Sequence, residues 1–284
     1  ALAESHQSDG LDIRTISAAQ DVSLDDGQTT IGPRFQYIQY DPGPPGGRVD
    51  VIRPGAYGRR RFGDAREWTA HLYFDLADLQ GTQTRLDPTF DTYVTFWPSD
   101  ILRFDLGAKQ TTFDNLKSLT QDVTATYAGL SLDVVPDELL RMTLRVDAGR
   151  YSDGNRRYWG QAEVERRLWN HPKVYLGWRH TGFGFARQLD SGYYNPALYY
   201  ASVLTLKSSG PLVGPLYYEV DGSVGFELAS PGGAKMVWSG NARLAVPLSG
   251  HLRLEGNYSY FSSAIASSGG FSRGTVAAAM QVTW

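Results

Sequence analysis

The side chains of this sequence that could do chemistry are charged, and they recur at alternate positions. Arg103 and Asp105, Arg141, Arg145 and Asp147, Glu163 and Glu165, Glu219, Asp221 and Glu227, and Arg253 and Glu255 are spaced by two or a multiple of two. Arg179 and Arg243 hold equivalent places in segments of their own. Residues two apart in an extended chain share a face, so each set predicts a charged wall. Such a wall holds water, exchanges hydrogen bonds and pairs with its neighbours. Catalysis asks for more: a base poised beside a nucleophile or an activated water. The five histidines are scattered. His171 and His251 fall in or beside turns, His6 lies near the start, and the pattern leaves the face of His180 open. His71 shares a face with Asp75, but no serine in a nucleophile's context accompanies them. No metal-ligand spacing occurs, and Asp25-Asp26-Gly27 and Ser152-Asp153-Gly154 read as turn chemistry. No catalytic residue, metal or cofactor is expected.

Composition narrows the elements that must carry these walls. The formal charge of −3 and the absence of dense basic clusters argue against nucleic acid as a partner. There is no cysteine, which excludes a disulfide framework and thiolate chemistry. No apolar run approaches the roughly 20 residues of a membrane-spanning helix. The opening Ala1-Leu2-Ala3-Glu4-Ser5-His6 is no signal peptide, so export would imply that a leader or a whole N-terminal region has been removed. Aromatic content of 13% sits beside a mean hydropathy of −0.33. An apolar exterior, a polar interior and interfacial Tyr and Trp would together produce that combination, as in outer-membrane barrels.

Alternation supports the barrel. Leu252, Leu254, Gly256, Tyr258 and Tyr260 oppose Arg253, Glu255, Asn257 and Ser259; Val276, Ala278, Met280, Val282 and Trp284 oppose Arg273, Thr275, Gln281 and Thr283. The same split recurs around 68–76, 102–109, 140–147, 161–165, 218–227 and 236–246. Segments 31–40, 49–61 and 123–134 alternate less cleanly, which predicts bulges. These strands run to about 12–15 residues, where soluble strands average roughly 5–6 and a membrane strand needs ~9–11. A soluble sandwich or propeller is disfavoured on that ground.

Connections give a second test. Counting back from Trp284, Pro247–Gly250, Asn170–Lys173, Val135–Glu138, Pro98–Asp100, Gly63–Glu67 and Leu24–Gly27 are short, with Lys207–Pro215 as the exception. The intervening ones, Ser262–Gly270, Ala229–Gly233, Arg187–Pro196, Thr112–Gln121, Ala77–Pro88 and Asp41–Arg48, are mostly longer. Short periplasmic turns alternating with longer outer loops match bacterial outer-membrane barrels and put the C-terminus in the periplasm. Trp68, Trp97, Trp169 and Trp284 fall at the turn end; Tyr258, Tyr260, Phe261, Phe183 and Phe185 fall at the other, as two aromatic girdles. About fifteen strands are complete. Ser5–Gly10 is similar to Gly149–Gly154 and marks a further outgoing strand. The expectation is an all-β, transmembrane, antiparallel up-and-down barrel of about sixteen strands, one domain over 1–284, in the bacterial outer membrane.

A family resemblance then enters. Tyr151-Ser152-Asp153-Gly154-Asn155-Arg156-Arg157 leads to Arg166-Arg167-Leu168-Trp169-Asn170-His171-Pro172, then Tyr175-Leu176-Gly177-Trp178-Arg179 and Gly192-Tyr193-Tyr194-Asn195-Pro196. This order resembles the C-terminal porin domains of exopolysaccharide secretion proteins, those exporting cellulose, poly-N-acetylglucosamine or Pel into biofilms. The resemblance implies that the chain is the C-terminal part of a longer protein, behind a periplasmic tetratricopeptide superhelix. Its partners would be outer-membrane lipid, the polysaccharide chain, the superhelix and an inner-membrane synthase complex. The charged residues named above would line the lumen in numerous weak sites that let a glycan slide; the bland alternative is solvated or structurally paired charge. Glu219, Asp221 and Glu227, with Glu163 and Glu165, would form an acidic stripe, although arginines fall on adjacent walls. Tyr193, Tyr194 and Tyr199 are candidates for stacking on sugars at the exit, Tyr200 fits the girdle, and the loop over 188–195 is a candidate gate. A general or solute-specific diffusion porin is the alternative, although loops 77–88 and 112–122 are modest for an inward constriction; an outer-membrane barrel enzyme is the second.

Overall fold

The structure is a computed structural model that describes all residues except 8–10, 44–46, 64–67, 81–84, 113–115, 231, 264–270 and 283–284. Trp284, the expected terminal girdle residue, and the tip of the Ser5–Gly10 segment lie outside the described residues. The strands in chain order are β1 (Leu2–Gln7), β2 (Asp12–Ala19), β3 (Val22–Leu24), β4 (Thr29–Asp41), β5 (Val49–Phe62), β6 (Trp68–Gln80), β7 (Arg85–Phe96), β8 (Leu102–Thr112) and β9 (Thr124–Val134). They continue as β10 (Leu140–Tyr151), β11 (Arg156–Asn170), β12 (Lys173–Phe185), β13 (Leu198–Val213), β14 (Leu216–Ser230), β15 (Gly233–Pro247), β16 (Leu252–Ser263) and β17 (Phe271–Val282). One short helix, α1 (Leu116–Thr120), interrupts the β8–β9 connection.

Every neighbour in this sheet is antiparallel, and β1 pairs with β17 from Leu2↔Ala278 to Gln7↔Arg273, so the sheet closes on itself. β2 and β3 both pair with β4 and form one interrupted stave, giving a barrel of sixteen. Closure removes the unpaired edges that a sheet cannot expose to lipid.

Alternation translates into two walls. Leu72, Leu106, Leu144, Leu204, Phe226, Trp238, Met236, Val276 and Met280 are exposed on the outside, the pattern of a lipid-facing belt. The seven connections at the turn end are all short. The expected exception vanishes because β13 runs on to Val213 and only Gly214-Pro215 remain as a turn, with Gly214 at φ 55°. The connections 113–123 and 186–197 are the longest at the other end. These ends are the short-turn rim and the long-loop rim below.

The bulges fall elsewhere than predicted. The ladders through β4, β5 and β9 keep one register, and the shifts occur at Arg167/Trp169 and Pro211/Val213. The blurred alternation has another cause. Ile38, Tyr40, Val49, Val51 and Ala125 are inward-facing yet apolar, because they are buried under the long-loop rim. At several inward glycines the wall bends too tightly for a side chain, Gly55 and Gly129 among them. A Cβ at Gly129 would lie 2.8 Å from the Val146 carbonyl oxygen, and one at Gly55 would lie 2.5 Å from that of Phe74.

The aromatic girdles hold in part. Trp68 stacks on Phe96 at 4.0 Å and Trp169 is exposed at the short-turn rim; Trp238 stacks on Tyr260 at 4.5 Å near the other. Phe183 and Phe185 are a correction: both face inward and pack in interior aromatic clusters. Trp97 lies under the Arg103 guanidinium, 5.6 Å from its centre.

Candidate translocation lumen

The inner wall between its middle and the short-turn rim, the waist of the lumen, carries a set of ion pairs across neighbouring strands. On β11 to β13, Lys207 pairs with both Glu163 and Glu165, and Arg179 lies 3.8 Å from Glu163. On β14 to β16, Arg243 bridges Glu219 at 2.9 Å and Glu255 at 2.8 Å, Arg253 holds Glu255 at 2.8 Å, and Asn241 donates to Asp221. On β8 to β11, Arg103 pairs with Asp105, Arg141 with Asp133 at 2.9 Å, and Arg157 with Asp147 at 2.7 Å. Arg145 is exposed and has no ionic partner among the described residues.

All fourteen charged candidates thus occupy the inner face of their strands. Of the acidic stripe, Glu163, Glu165 and Glu219 are paired with cations, while Asp221 is held by the neutral Asn241 amide. Glu227 is buried and accepts a hydrogen bond from Tyr199 Oη at 2.8 Å. Sequence reading missed Asp133, Arg157 and Lys207, the partners that complete these pairs. Lys207 had been read as part of a loop, and Asp133 lies in a strand whose alternation is blurred. The signal that would have found them is opposite charge at matching register, which requires the pairing first.

The long-loop rim is built differently. α1 turns into the barrel and sets Leu119, 4% exposed, among Leu11, Ile13, Ile38, Tyr40, Val49, Val51, Ala77 and Leu79. Those residues belong to β2, β4, β5 and β6, with Leu11 just before β2, a stretch of wall that ends two strands from β8. Arg85 fixes the loop from the wall, pairing with Asp87 and with Asp122 at 2.5 Å. Arg53 donates to Thr112 Oγ1 at 2.5 Å. The expectation that 112–122 is too modest to fold inward is therefore corrected: burial of one leucine and fixed polar contacts suffice.

The second long connection docks beside it. Ser118 Oγ donates to the Ser191 carbonyl at 2.8 Å, and Lys117 pairs with Asp190. Tyr193 is buried, stacks on Tyr151 at 4.7 Å and donates to Asp153 at 2.7 Å. Burial pushes its phenol well above the ordinary range, so it stays a donor. Asn155, fully buried, donates to Tyr193 Oη and the Arg187 carbonyl and accepts from the backbone N–H groups of Arg156 and Arg187. Tyr199 stacks on Phe183 at 4.5 Å. Tyr193 and Tyr199 are thus corrected from sugar platforms to anchors, since their rings are already covered. Tyr194 is half-buried beside Phe183 and Tyr199. The 188–195 segment is pinned to the wall and to α1, so it is not a loose flap.

His71 and His180 both pack against aromatic rings of the wall. His71 stacks on Tyr93 at 4.1 Å, and Asp75 instead accepts from Thr89. His180 faces outward and bonds Tyr200 Oη at 2.6 Å, in keeping with Tyr200 in the girdle.

Comparison with known proteins agrees with this geometry. The family matched is the PgaA membrane beta barrel domain, over residues 94–215. The matched stretch runs from inside β7 to the turn after β13, where the resemblance had been seen in the sequence. No curated protein matches the chain. Among solved structures, a protein described as a bacterial polysaccharide outer membrane secretin superposes with TM-score 0.77 at 14% identity, covering 100% of this chain and 97% of its own. Pseudomonas aeruginosa OccK5 (OpdH) gives TM-score 0.48 at 10% identity over 100% and 96% of the two chains. At 14% identity the likeness to the secretin is one of fold, a closed antiparallel membrane barrel.

Proposed function

We propose that this PgaA-type barrel exports an exopolysaccharide through the outer membrane. In this reading the short-turn rim and the C-terminus face the periplasm and the long-loop rim faces outside. The chain is the C-terminal part of a longer protein, whose periplasmic superhelix receives glycan from an inner-membrane synthase complex. The observation that carries the proposal is the wall of cross-strand ion pairs at the waist. A paired carboxylate and guanidinium keep spare lone pairs and N–H groups for sugar hydroxyls, yet present no net field that would trap a polymer. Each contact is weak and many act together, as a sliding chain requires. The inward fold of α1 is the closed position of this path, and passage requires Leu119 to leave its apolar seat.

That same inward fold is the one observation favouring a diffusion porin with a constriction. Deleting the gene and restoring it in the native host separates the two. Export predicts that secreted polysaccharide falls to background and accumulates in the periplasm, with recovery on complementation. A diffusion porin predicts normal secretion and slower solute uptake.

A further inference from the structure

On the outer wall, near the long-loop rim, two arginines face one another. Arg150 of β10 and Arg156 of β11 are directly opposed in register, and both are exposed. They lie on the lipid-facing side, in phase with Leu144, Val146 and Tyr158, each exposed there. Side chains directly opposite have Cβ atoms about 4.5–5.5 Å apart, and like charges so placed repel. Neither guanidinium meets a carboxylate among the described residues; the inward arginines 157 and 141, by contrast, hold Asp147 and Asp133. Thr126 continues the row beside Arg150 and donates to Gln110, so it is a polar row across four strands.

The next row toward the membrane centre is made of small residues. Ala108, Ala128 and Ala148 are paired side by side, with Gly184 beyond Tyr158. Below it come Leu106, Leu130 and Val146, all exposed. The wall therefore offers two cations above a shallow, alanine-floored depression that opens onto an aliphatic belt.

We propose that Arg150 and Arg156 clamp a phosphate of an acylated phosphoglycolipid of the outer leaflet, with an acyl chain lying over the alanine row. Two guanidinium forks match phosphate geometry, and an anion between them converts repulsion into two charge-assisted pairs. The site rests on the reading that the long-loop rim faces outside only for where the lipid comes from.

Binding is measured on the purified full chain in detergent, by native mass spectrometry with bis-phosphorylated lipid A as probe, so orientation plays no part. The R150Q/R156Q variant is expected to bind roughly 30-fold more weakly, from about one surface cation's contribution per arginine. R150K/R156K, which keeps the charges and loses the planar forks, is expected to bind between the two, and binding as weak as that of R150Q/R156Q or as tight as wild type would overturn the fork geometry. Retained heat-modifiable mobility on gels establishes that each variant is folded. Equal retention of lipid A by wild type and R150Q/R156Q overturns the proposal. So does displacement by equimolar inorganic phosphate, which would mark a free-anion site. Orientation is read separately by labelling a single cysteine, S152C, on whole cells; this chain has no other cysteine. Labelling only after permeabilisation would sink the export topology while leaving the in vitro binding result standing.

Discussion

The waist of the lumen and its long-loop rim are lined by the same kind of strand and behave as opposites. At the waist, the charges of β14 to β16 are paired but stay wet: Arg243, Glu219 and Arg253 each keep more than a third of their side-chain surface. At the rim, Leu119, Tyr193, Asn155 and Ser118 have left water almost completely. Wet pairs contribute little energy and rearrange readily, while buried leucines and satisfied amides hold one arrangement. On the export reading, a polymer would meet little resistance in the first region and a closed seat in the second. Control of passage would then sit at the rim, and the waist would only tolerate what has been admitted.

The largest effect is expected from Leu119→Asp. A carboxylate among Ile13, Ile38, Val51 and Leu79 has no partner there, and such burial costs several kcal/mol, more than the contacts of Ser118 and Lys117 return. Planar-bilayer conductance of the variant should rise several-fold; a wild-type value would erase the contrast between rim and waist. Next comes Asn155→Ala. It removes the acceptor of the Arg156 and Arg187 N–H groups and the donor to Tyr193 Oη and the Arg187 carbonyl, at about 2–3 kcal/mol. Hydrogen exchange over 186–197 should quicken by something on the order of fiftyfold while β14–β16 keep their protection; uniform quickening would mean that the rim is no separate unit. Lys207→Gln is the smallest. Stability should change by less than about 1 kcal/mol, since the lysine is over a third exposed. The reversal potential under a salt gradient should move toward cations, because Glu163 and Glu165 lose their common partner. An unmoved potential would say that the waist pairs do not set the field.

Much of the lumen was legible in the sequence, because period-two alternation depends only on backbone geometry. Arg103, Arg141, Glu219 and Arg253 fall on the inner wall for that reason. The partners were illegible, since Lys207 meets Glu165 only through pairings set by the registers of β11, β12 and β13. The rim was misread for a related reason. Phe183 and Phe185 look like girdle residues by type, and only the phase of β12 turns them inward. The blurred alternation of 31–40, 49–61 and 123–134 was visible but assigned to bulges. It recorded a place where both faces of the wall are dry, one against lipid and one against α1.

The glycines at 55 and 129 bear on how such a conduit diverges among relatives. Backbone closes in on them where the wall folds sharply, so the bore's outline is drawn by the main chain at a few corners. Substituting charged side chains elsewhere on the inner wall would therefore alter the field of the bore and leave its calibre as it is.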